Sequence, residues 1–457
     1  MQHEARMAAT IQEILTTTAD RVALETKAII RERIFTGSSL LQMLVFSFFD
    51  TRKFSCAGLA HQAAVAGAEV SPQAARRRLN ASVLGFLKQM LSEAGQAVVL
   101  ARSRDEELLQ RFPGGVYLID STTINLPEEF AAEFSGCGGA RGQSTAALKV
   151  QVRIEVLSGR CEIQLEAGRD ADVSSSIQHL PLPPDSLRLA DIGYLSTDVL
   201  QSIDDHNSEF VTRMPAGMKL HVTTGAGEQC LGGKALYELL DRRCPRTGYQ
   251  VLAEEVLAGA EARLPCRLVA IRASADVVRR RIAGLEKEAK RRNRPVSADQ
   301  RAAAHWTIFL TNIPADKATW KEIVVLYRLR WQIELLFKAW KAKKNFEIGK
   351  LAQQFAKPVY CMIALYSKLL GVLMRHWTLL TTCWHHAELS FMKSTTLLNQ
   401  YLPTLALTLN SLTALRGMLT ALTRALTRAP RLDKRTKQPS SHQLLTNAEL
   451  LTWGLES

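Results

Sequence analysis

The stretch YRLRWQIELLFKAWKAKK, residues 327 to 344, sets one acid, Glu334, among many bases on a segment with an evident apolar stripe. Wound at about 100° per residue, Tyr327, Arg330, Glu334 and Lys341 fall within roughly 60° of one another. Leu326, Leu329, Ile333, Leu336, Phe337 and Trp340 make the neighbouring stripe, which would pack into a core and hold the polar face fixed. The spacing predicts one helix that serves as the platform for a site.

The rest of the chain frames that helix. At 457 residues it is too long for one ordinary core, so two or three domains are expected. Hydrophobic residues at 47% and charged residues at 22% exclude a disordered or fibrous protein. A net charge of +14 points to an anionic partner, with nucleic acid foremost and an acidic membrane surface or simple solubility the alternatives on charge alone. Eight scattered cysteines without a Cys-x-x-Cys pair suit a reducing cytosol. Cys383, His385 and His386 in CWHH stand too close in sequence to close tetrahedrally around one ion. The start MQHEARMAATIQE shows no secretory signal, and VYCMIALYSKLLGVLM, interrupted by Lys368, reads as too short for a membrane span. A soluble cytoplasmic protein is the expectation.

Residues 1–110 read as helices. Within them GLAHQAAVAGAEVSPQAARRRL (58–79) breaks at Gly67 and restarts with Ser71 as N-cap and Pro72 at the first helical position. This is a helix-turn-helix pattern whose second helix would offer Arg76, Arg77 and Arg78 to phosphates or base edges; a helical hairpin with a solvated basic face fits equally. From 114 the texture turns to strands: GVYLID ending in Asp120, a hairpin of LKVQVRIEVLSG and RCEIQLEAG, and SLRLADIGY ending in Asp191, with DVSSSIQHL between as a helix. A mixed α/β sheet follows from this order. EFVTRM, KLHVTT, YQVLAEEVLA and CRLVAIRA suggest an inserted β-rich unit over 205–305, ending in the charged helix VVRRRIAGLEKEAKRRNR. HWTIFLTNIP reads as a buried strand, the chain after 350 as helical, and RAPRLDKRTKQPSS (428–441) as a basic connection.

Asp120 and Asp191 would close strands of one sheet, with Glu334 on a helix packed nearby. Three carboxylates held together repel unless cations sit among them, which points to hard divalent ions, magnesium first. Two such ions stabilise in-line displacement at a phosphodiester. Asp170 and Asp172, in a loop before a helix, are expected to be caps, Lys149 has no role, and Lys343 and Lys344 form a solvated or nonspecific DNA-facing pair.

IDST at 119–122, ADIGY at 190–194 and Tyr-x2-Arg-x3-Glu-x6-Lys at 327, 330, 334 and 341 resemble the motifs of DDE transposases with an RNase H-like core. The resemblance is to the bacterial insertion-sequence family with the Tyr-Arg-Glu-Lys signature, and it extends over nearly the whole chain. It implies an α/β fold: an RNase H-like mixed-sheet core with an inserted β-rich domain, flanked by helical N- and C-terminal regions. The parts would be a helical DNA-end-binding region (1–110), the core (111–204 and 306–356), the insertion (205–305) and a helical dimerisation region (357–457).

The same resemblance implies that Asp120, Asp191 and Glu334 hold two Mg2+ ions, with Mn2+ as a substitute. Water would cut one strand at the element's terminal repeat, and the freed 3′-hydroxyl would attack the opposite strand to make a hairpin, reopened before strand transfer into target DNA. Tyr327, Arg330 and Lys341 would grip phosphates, and Arg213 would reach end DNA. Trp306 would stack on a flipped base, at about 1 to 3 kcal/mol, or else be core. Double-stranded DNA, both ends and target, and a homodimer in the synaptic complex are the implied partners, on the bacterial nucleoid with no membrane. A metal-dependent nuclease or resolvase, and an inactive DNA-binding descendant, are the competing functions.

Overall fold

The computed structural model describes residues 2–49, 55–98, 106–138, 145–225, 227–245, 251–341, 358–383, 389–428, 439 and 441–451. Along the chain α1 (Gln2–Glu13) continues through a π-helical segment, Ile14–Thr18, into α2 (Ala19–Glu25). Then come α3 (Gly37–Phe49), α4 (Cys56–Val65), α5 (Pro72–Arg77), α6 (Ala81–Gln96) and α7 (Glu107–Gln110). The strand-rich part runs β1 (Gly115–Asn125), β2 (Ala147–Glu155), β3 (Cys161–Ala167), β4 (Ser186–Ala190), α8 (Thr197–Asp205), β5 (Glu209–Arg213), β6 (Lys219–Thr224) and β7 (Gly227–Gly232). It continues with α9 (Gly233–Arg243), β8 (Val251–Ala258), β9 (Leu264–Arg272), α10 (Ala275–Arg292), α11 (Ala298–Ala303) and β10 (Trp306–Thr311). Helices α12 (Trp320–Arg328), α13 (Trp331–Lys341), α14 (Pro358–Cys383), α15 (Phe391–Thr408), α16 (Leu412–Arg428) and α17 (Ser441–Thr446) complete it.

The strands form one ten-stranded mixed sheet in the order β3-β2-β1-β4-β5-β10-β9-β8-β6-β7. β4 lies parallel to both β1 and β5, whereas β10 is antiparallel to β5 and β9. The mixed α/β architecture with helical ends is the one expected. The strands read as a separate insertion extend this same sheet: β5 sits between β4 and β10, and β8 pairs with β9.

The chain divides into two compact units, Met1–Ser103 with Asp120–Ala171 and Trp331–Arg435, and Arg104–Ile119 with Asp172–Arg330 and Thr436–Ser457. In the first, α3 and α6 pack along α14, and α1 and α15 along α16. α6 also lies on β3 at Gly95, where a Cβ would come 2.8 Å from the Cys161 carbonyl oxygen. α14 spans 26 residues, longer than the sequence reading allowed. Over 358–379 it is the one helix among the described residues long and apolar enough to cross a membrane, yet 72% of that apolar window is buried inside the protein. The π-segment buries Ile14 and Leu15.

The β2–β3 hairpin forms as expected, from Leu148↔Ala167 to Ile154↔Cys161. Every residue of β2 is buried, including Lys149, Gln151, Arg153 and Glu155. Burial of such groups demands partners. Lys149 donates to the Asp170 carbonyl, Gln151 to Glu166 at 3.0 Å, and Arg153 pairs with Glu162. The Glu155 carboxylate accepts from the backbone N–H of Leu157 (3.0 Å) and Ser158 (2.6 Å), closing the turn.

The second unit buries Phe210, Leu236, Leu240, Leu268, Trp306 and Leu310 in one cluster between the sheet and helices α8 and α9. α17 packs on α7 and α12, with Leu444 and Leu445 buried and Lys321 paired with Glu449. The C-terminal region expected to be one helical block therefore divides, its last turns joining the unit that holds α12. DVSSSIQHL is two short 3-10 turns, Asp172–Ser174 and Ser176–His179, not a helix. Its serines bond locally, as Ser175 does to the Ile177 N–H, and so compete with helix formation. Most of the basic connection 428–441 lies outside the described residues.

Asn312 closes the end of the β5–β10 pair. Its carbonyl accepts from the Phe210 N–H at 2.9 Å, and its amide donates to Asp204 at 2.8 Å and to the Ser208 carbonyl at 2.9 Å. Asn312→Ala should therefore cost about 1–3 kcal/mol by leaving those groups unpaired, seen as a lower melting temperature; an unchanged melt would show that water replaces the amide.

Candidate active site

The parallel pairing of β1 with β4 runs from Gly115↔Ser186 to Ile119↔Ala190. The next residue along each strand is an aspartate, Asp120 and Asp191. Ile119 and Ala190 are buried with Ile177 and Tyr194 in a small apolar cluster that fixes the two strands just before their acids. The start of the register is set at Gly114, where a Cβ would come 2.1 Å from the Pro184 carbonyl oxygen, and whose N–H donates to the Asp185 carbonyl at 3.0 Å.

Asp120 does not end its strand, because β1 continues to Asn125. Its Oδ1 accepts from the Ser121 N–H at 2.8 Å. Asp191 follows β4 as the N-cap of the 3-10 turn Ile192–Tyr194, but its side chain makes no capping bond. Instead the Tyr327 hydroxyl donates to Asp191 Oδ1 at 3.1 Å. The Tyr327 ring meets Phe309 edge-on, with centroids 5.0 Å apart. Burial foremost, and then the Asp191 charge, push the Tyr327 phenol well above its ordinary value, so it remains a donor.

The stretch 327–344 is not one helix. α12 stops at Arg328, and Leu329 and Arg330 form a turn in which their N–H groups reach only three residues back, to Leu326 (3.0 Å) and Tyr327 (3.1 Å). No glycine or proline marks this break. Tyr327 therefore lies in the last turn of α12 and Glu334 in the first turn of α13. Leu326 and Leu329, and in α13 Ile333, Leu336 and Phe337, are buried, while the Trp340 side chain lies outside the described residues. Glu334 is half-buried, and the Arg330 guanidinium lies 5.7 Å from the Tyr327 ring centroid. Arg213, the exposed last residue of β5, pairs across to Phe309 and lies close enough for its charge to act on Tyr327. The Lys341 side chain, Lys343, Lys344, His385 and His386 fall outside the described residues.

Trp306 opens β10 and is 2% exposed. Arg272, bonded to the Cys244 carbonyl at 2.8 Å and paired with Asp241 at 2.9 Å, covers its ring at 5.1 Å. In the N-terminal helices α4 ends at Gly67 (φ +84°) and α5 starts from Ser71, whose hydroxyl accepts from the Ala74 N–H at 3.2 Å, as the sequence implied. α5 has six residues, with Arg76 and Arg77 exposed, while Arg78 turns back over the Phe35 ring at 5.0 Å.

Among the described residues no group of three or more His, Cys, Asp or Glu is assembled to hold a metal ion. The carboxylate oxygens of Asp120 and of Asp191 are hard donors of the kind divalent ions take. Sequence reasoning missed Phe309, Arg272 and Gly114, whose roles come from contacts far apart in the chain.

Residues 111–351 match the model of the transposase DDE domain, a span that holds every strand and both helices flanking the break. The chain belongs to the DDE transposase family. The transposase for insertion sequence element IS231F of Bacillus thuringiensis subsp. israelensis is 24% identical over 369 residues, covering 78% of this chain and 76% of its own length. The transposase for IS1151 of Clostridium perfringens is 24% identical over 367 residues, covering 78% and 76%. The putative transposase InsL for IS186A of Escherichia coli K12 is 26% identical over 185 residues, 40% of this chain and 48% of its own. In this DDE transposase family member the matched span carries Asp120, Asp191 and Glu334 together.

Gly114→Ala must push Pro184 and Ser186 away and disturb the register beneath both aspartates. We expect a cost of about 1–3 kcal/mol in a thermal melt. Gly85→Ala, on α6 with nothing within 4 Å of its Cβ, should be neutral or stabilising; equal losses in the two variants would deny the close approach its importance.

Proposed function

We propose that the protein is the transposase of an insertion sequence, cutting the element at its terminal inverted repeats and joining the 3′-hydroxyl ends to target DNA. The observation that carries this reading is the match of residues 111–351 to the transposase DDE domain, within which the β1–β4 register ends at Ile119 and Ala190, each followed in sequence by an aspartate. The names of the relatives, each a transposase for an insertion sequence, support it.

In this reading Asp120, Asp191 and Glu334 would hold two Mg2+ ions, which when bound supply charge stabilisation at the attacking and leaving oxygens of the phosphodiester. Tyr327 orients the Asp191 carboxylate by donating to one of its oxygens. Arg330 and Arg213, both near Tyr327, contribute positive charge for a DNA phosphate, with Lys341 as a third cation. Exposed Arg76 and Arg77 are available to end DNA, and pairing of two protomers holds two ends together. A cut-and-paste route through a hairpin requires a base to leave the duplex at a cost of a few kcal/mol. For Trp306 to stack on that base, its ring must come out from the core and from under Arg272. Its buried indole N–H has no acceptor among the described residues, and an unpaired donor of this kind costs about 1–3 kcal/mol, which offsets part of the expense of moving it.

The decisive experiment is a cleavage assay on the element's own terminal repeat. Glu334→Gln should keep repeat binding and lose nicking and strand transfer by orders of magnitude in magnesium; wild-type rates in that variant would remove Glu334 from the site. Tyr327→Phe should leave binding of ends intact and weaken divalent-ion affinity about 10- to 100-fold, the usual effect of losing a group that orients a ligand. Weaker end binding at unchanged metal affinity would instead make Tyr327 a phosphate contact. Trp306→Ala should nick normally and fail at the second strand if the ring stacks. An early melt with both steps reduced equally would make it core alone, at about 3–5 kcal/mol.

A further inference from the structure

Helix α10 is thinly rooted in the second unit. Of its 18 residues only Val278 is buried. Arg281 ties it to β10, donating to the carbonyls of Ala304 (3.2 Å) and Trp306 (2.9 Å) and to the Thr307 hydroxyl (2.6 Å). At about 100° per residue, Val278, Ile282, Leu285 and Ala289 share the inward side, and Arg280, Lys287 and Arg291 line the opposite one. Lys290 lies beside them, and Arg294 follows the left-handed C-cap at Asn293. All five of these bases are exposed.

Ion pairing accounts for Arg291 alone among these five. Arg291 and Arg292 share Glu288, Arg279 takes Asp276, and Glu286 is paired with Arg301. Arg280, Lys287, Lys290 and Arg294 make no ion pair among the described residues, so the acids of α10 are all spent elsewhere. A face built only for solubility would intersperse both signs, whereas from Arg280 onward the outward row carries bases alone, Asp276 preceding it and holding Arg279. From Arg280 to Arg291 the row rises roughly 16 Å at 1.5 Å per residue, enough to cross a DNA major groove about 12 Å wide and meet the backbone on either side.

We infer that the exposed face of α10 binds the phosphate backbone of duplex DNA without reading its sequence. The inference rests on the transposase reading and adds to it a surface distant in sequence from Asp120, Asp191 and Glu334. Because the side chains point to solvent, their removal leaves the fold intact.

The test uses the full chain carrying Arg280→Gln, Lys287→Gln, Lys290→Gln and Arg294→Gln together. Gel shifts across a salt series compare a duplex with the terminal repeat against an unrelated duplex. Each cation withdrawn from a phosphate lowers the steepness of log affinity against log salt by roughly 0.9, so a decrease of about 2 to 4 and at least a tenfold loss at low salt are expected. Loss confined to the repeat duplex assigns the surface to end DNA, loss confined to the unrelated duplex assigns it to target DNA, and both support the inference. Unchanged slopes on both duplexes, with the wild-type protein binding, overturn it while leaving the transposase reading standing. A wild-type protein that retains neither duplex at low salt overturns that reading as well. Should the fourfold variant melt early, Lys287→Glu alone decides by the same slope: a lower slope supports the surface and an equal one rejects it.

Discussion

The parallel ladder between Gly115–Ile119 and Ser186–Ala190 is the constraint on which the rest of the site depends. Two neighbouring parallel strands running the same way deliver their next residues to the same end of the sheet, a property antiparallel neighbours lack. Here those residues are acids. The ladder is kept in step from below by the close approach at Gly114 and from above by Ile119 and Ala190 packed on Ile177 and Tyr194. The buried apolar cluster of Ile119, Ile177, Ala190 and Tyr194 supplies rigidity at that end of the ladder.

A second level of support reaches Asp191 through Tyr327. The phenol is itself braced by the edge of Phe309, so one carboxylate oxygen is oriented by a chain of contacts that begins in the core of the second unit. Phe309 and Trp306 come from the same fully buried strand, β10. The strand that the sequence marked only as apolar thus provides both the wall behind the tyrosine and the anchorage, through Arg281, of the exposed basic helix.

Much of this is legible in the amino-acid order alone. Alternation and turn chemistry identify the β2–β3 hairpin, the apolar run of β4 and the caps at Gly67 and Ser71, because each signal is local. What fails is non-local or lacks a breaker residue. The run from Tyr327 to Lys344 keeps helical periodicity throughout, and its break at Leu329–Arg330 is carried by two three-residue hydrogen bonds that no residue type announces. The strands between 205 and 305 are visible, but their membership of one sheet depends on β9 meeting β10, a pairing between segments separated by a whole helix pair. β2 looks half-solvated by its alternating polar residues, whereas ion pairs and backbone bonds let it be buried on both faces. At the site, the two aspartates can be read from their place after apolar strands; the Tyr327 bond to Asp191 cannot, since it joins residues 136 positions apart.

The packing of α17 on α7 and α12 gives the protein an order of manufacture. The unit that contains Asp191 and Tyr327 is assembled from three separate pieces of chain, and the last of them, Thr436–Ser457, follows the whole stretch Trp331–Arg435 that belongs to the other unit. At 5–20 residues per second, translating that intervening stretch takes on the order of 5–20 s. Throughout that interval the apolar surface that will receive Leu444 and Leu445 is bare, and the unit lacks a piece of its core. The unit that holds Asp191 and Tyr327 therefore gains its third piece only after residues 331–435 of the other unit have been made.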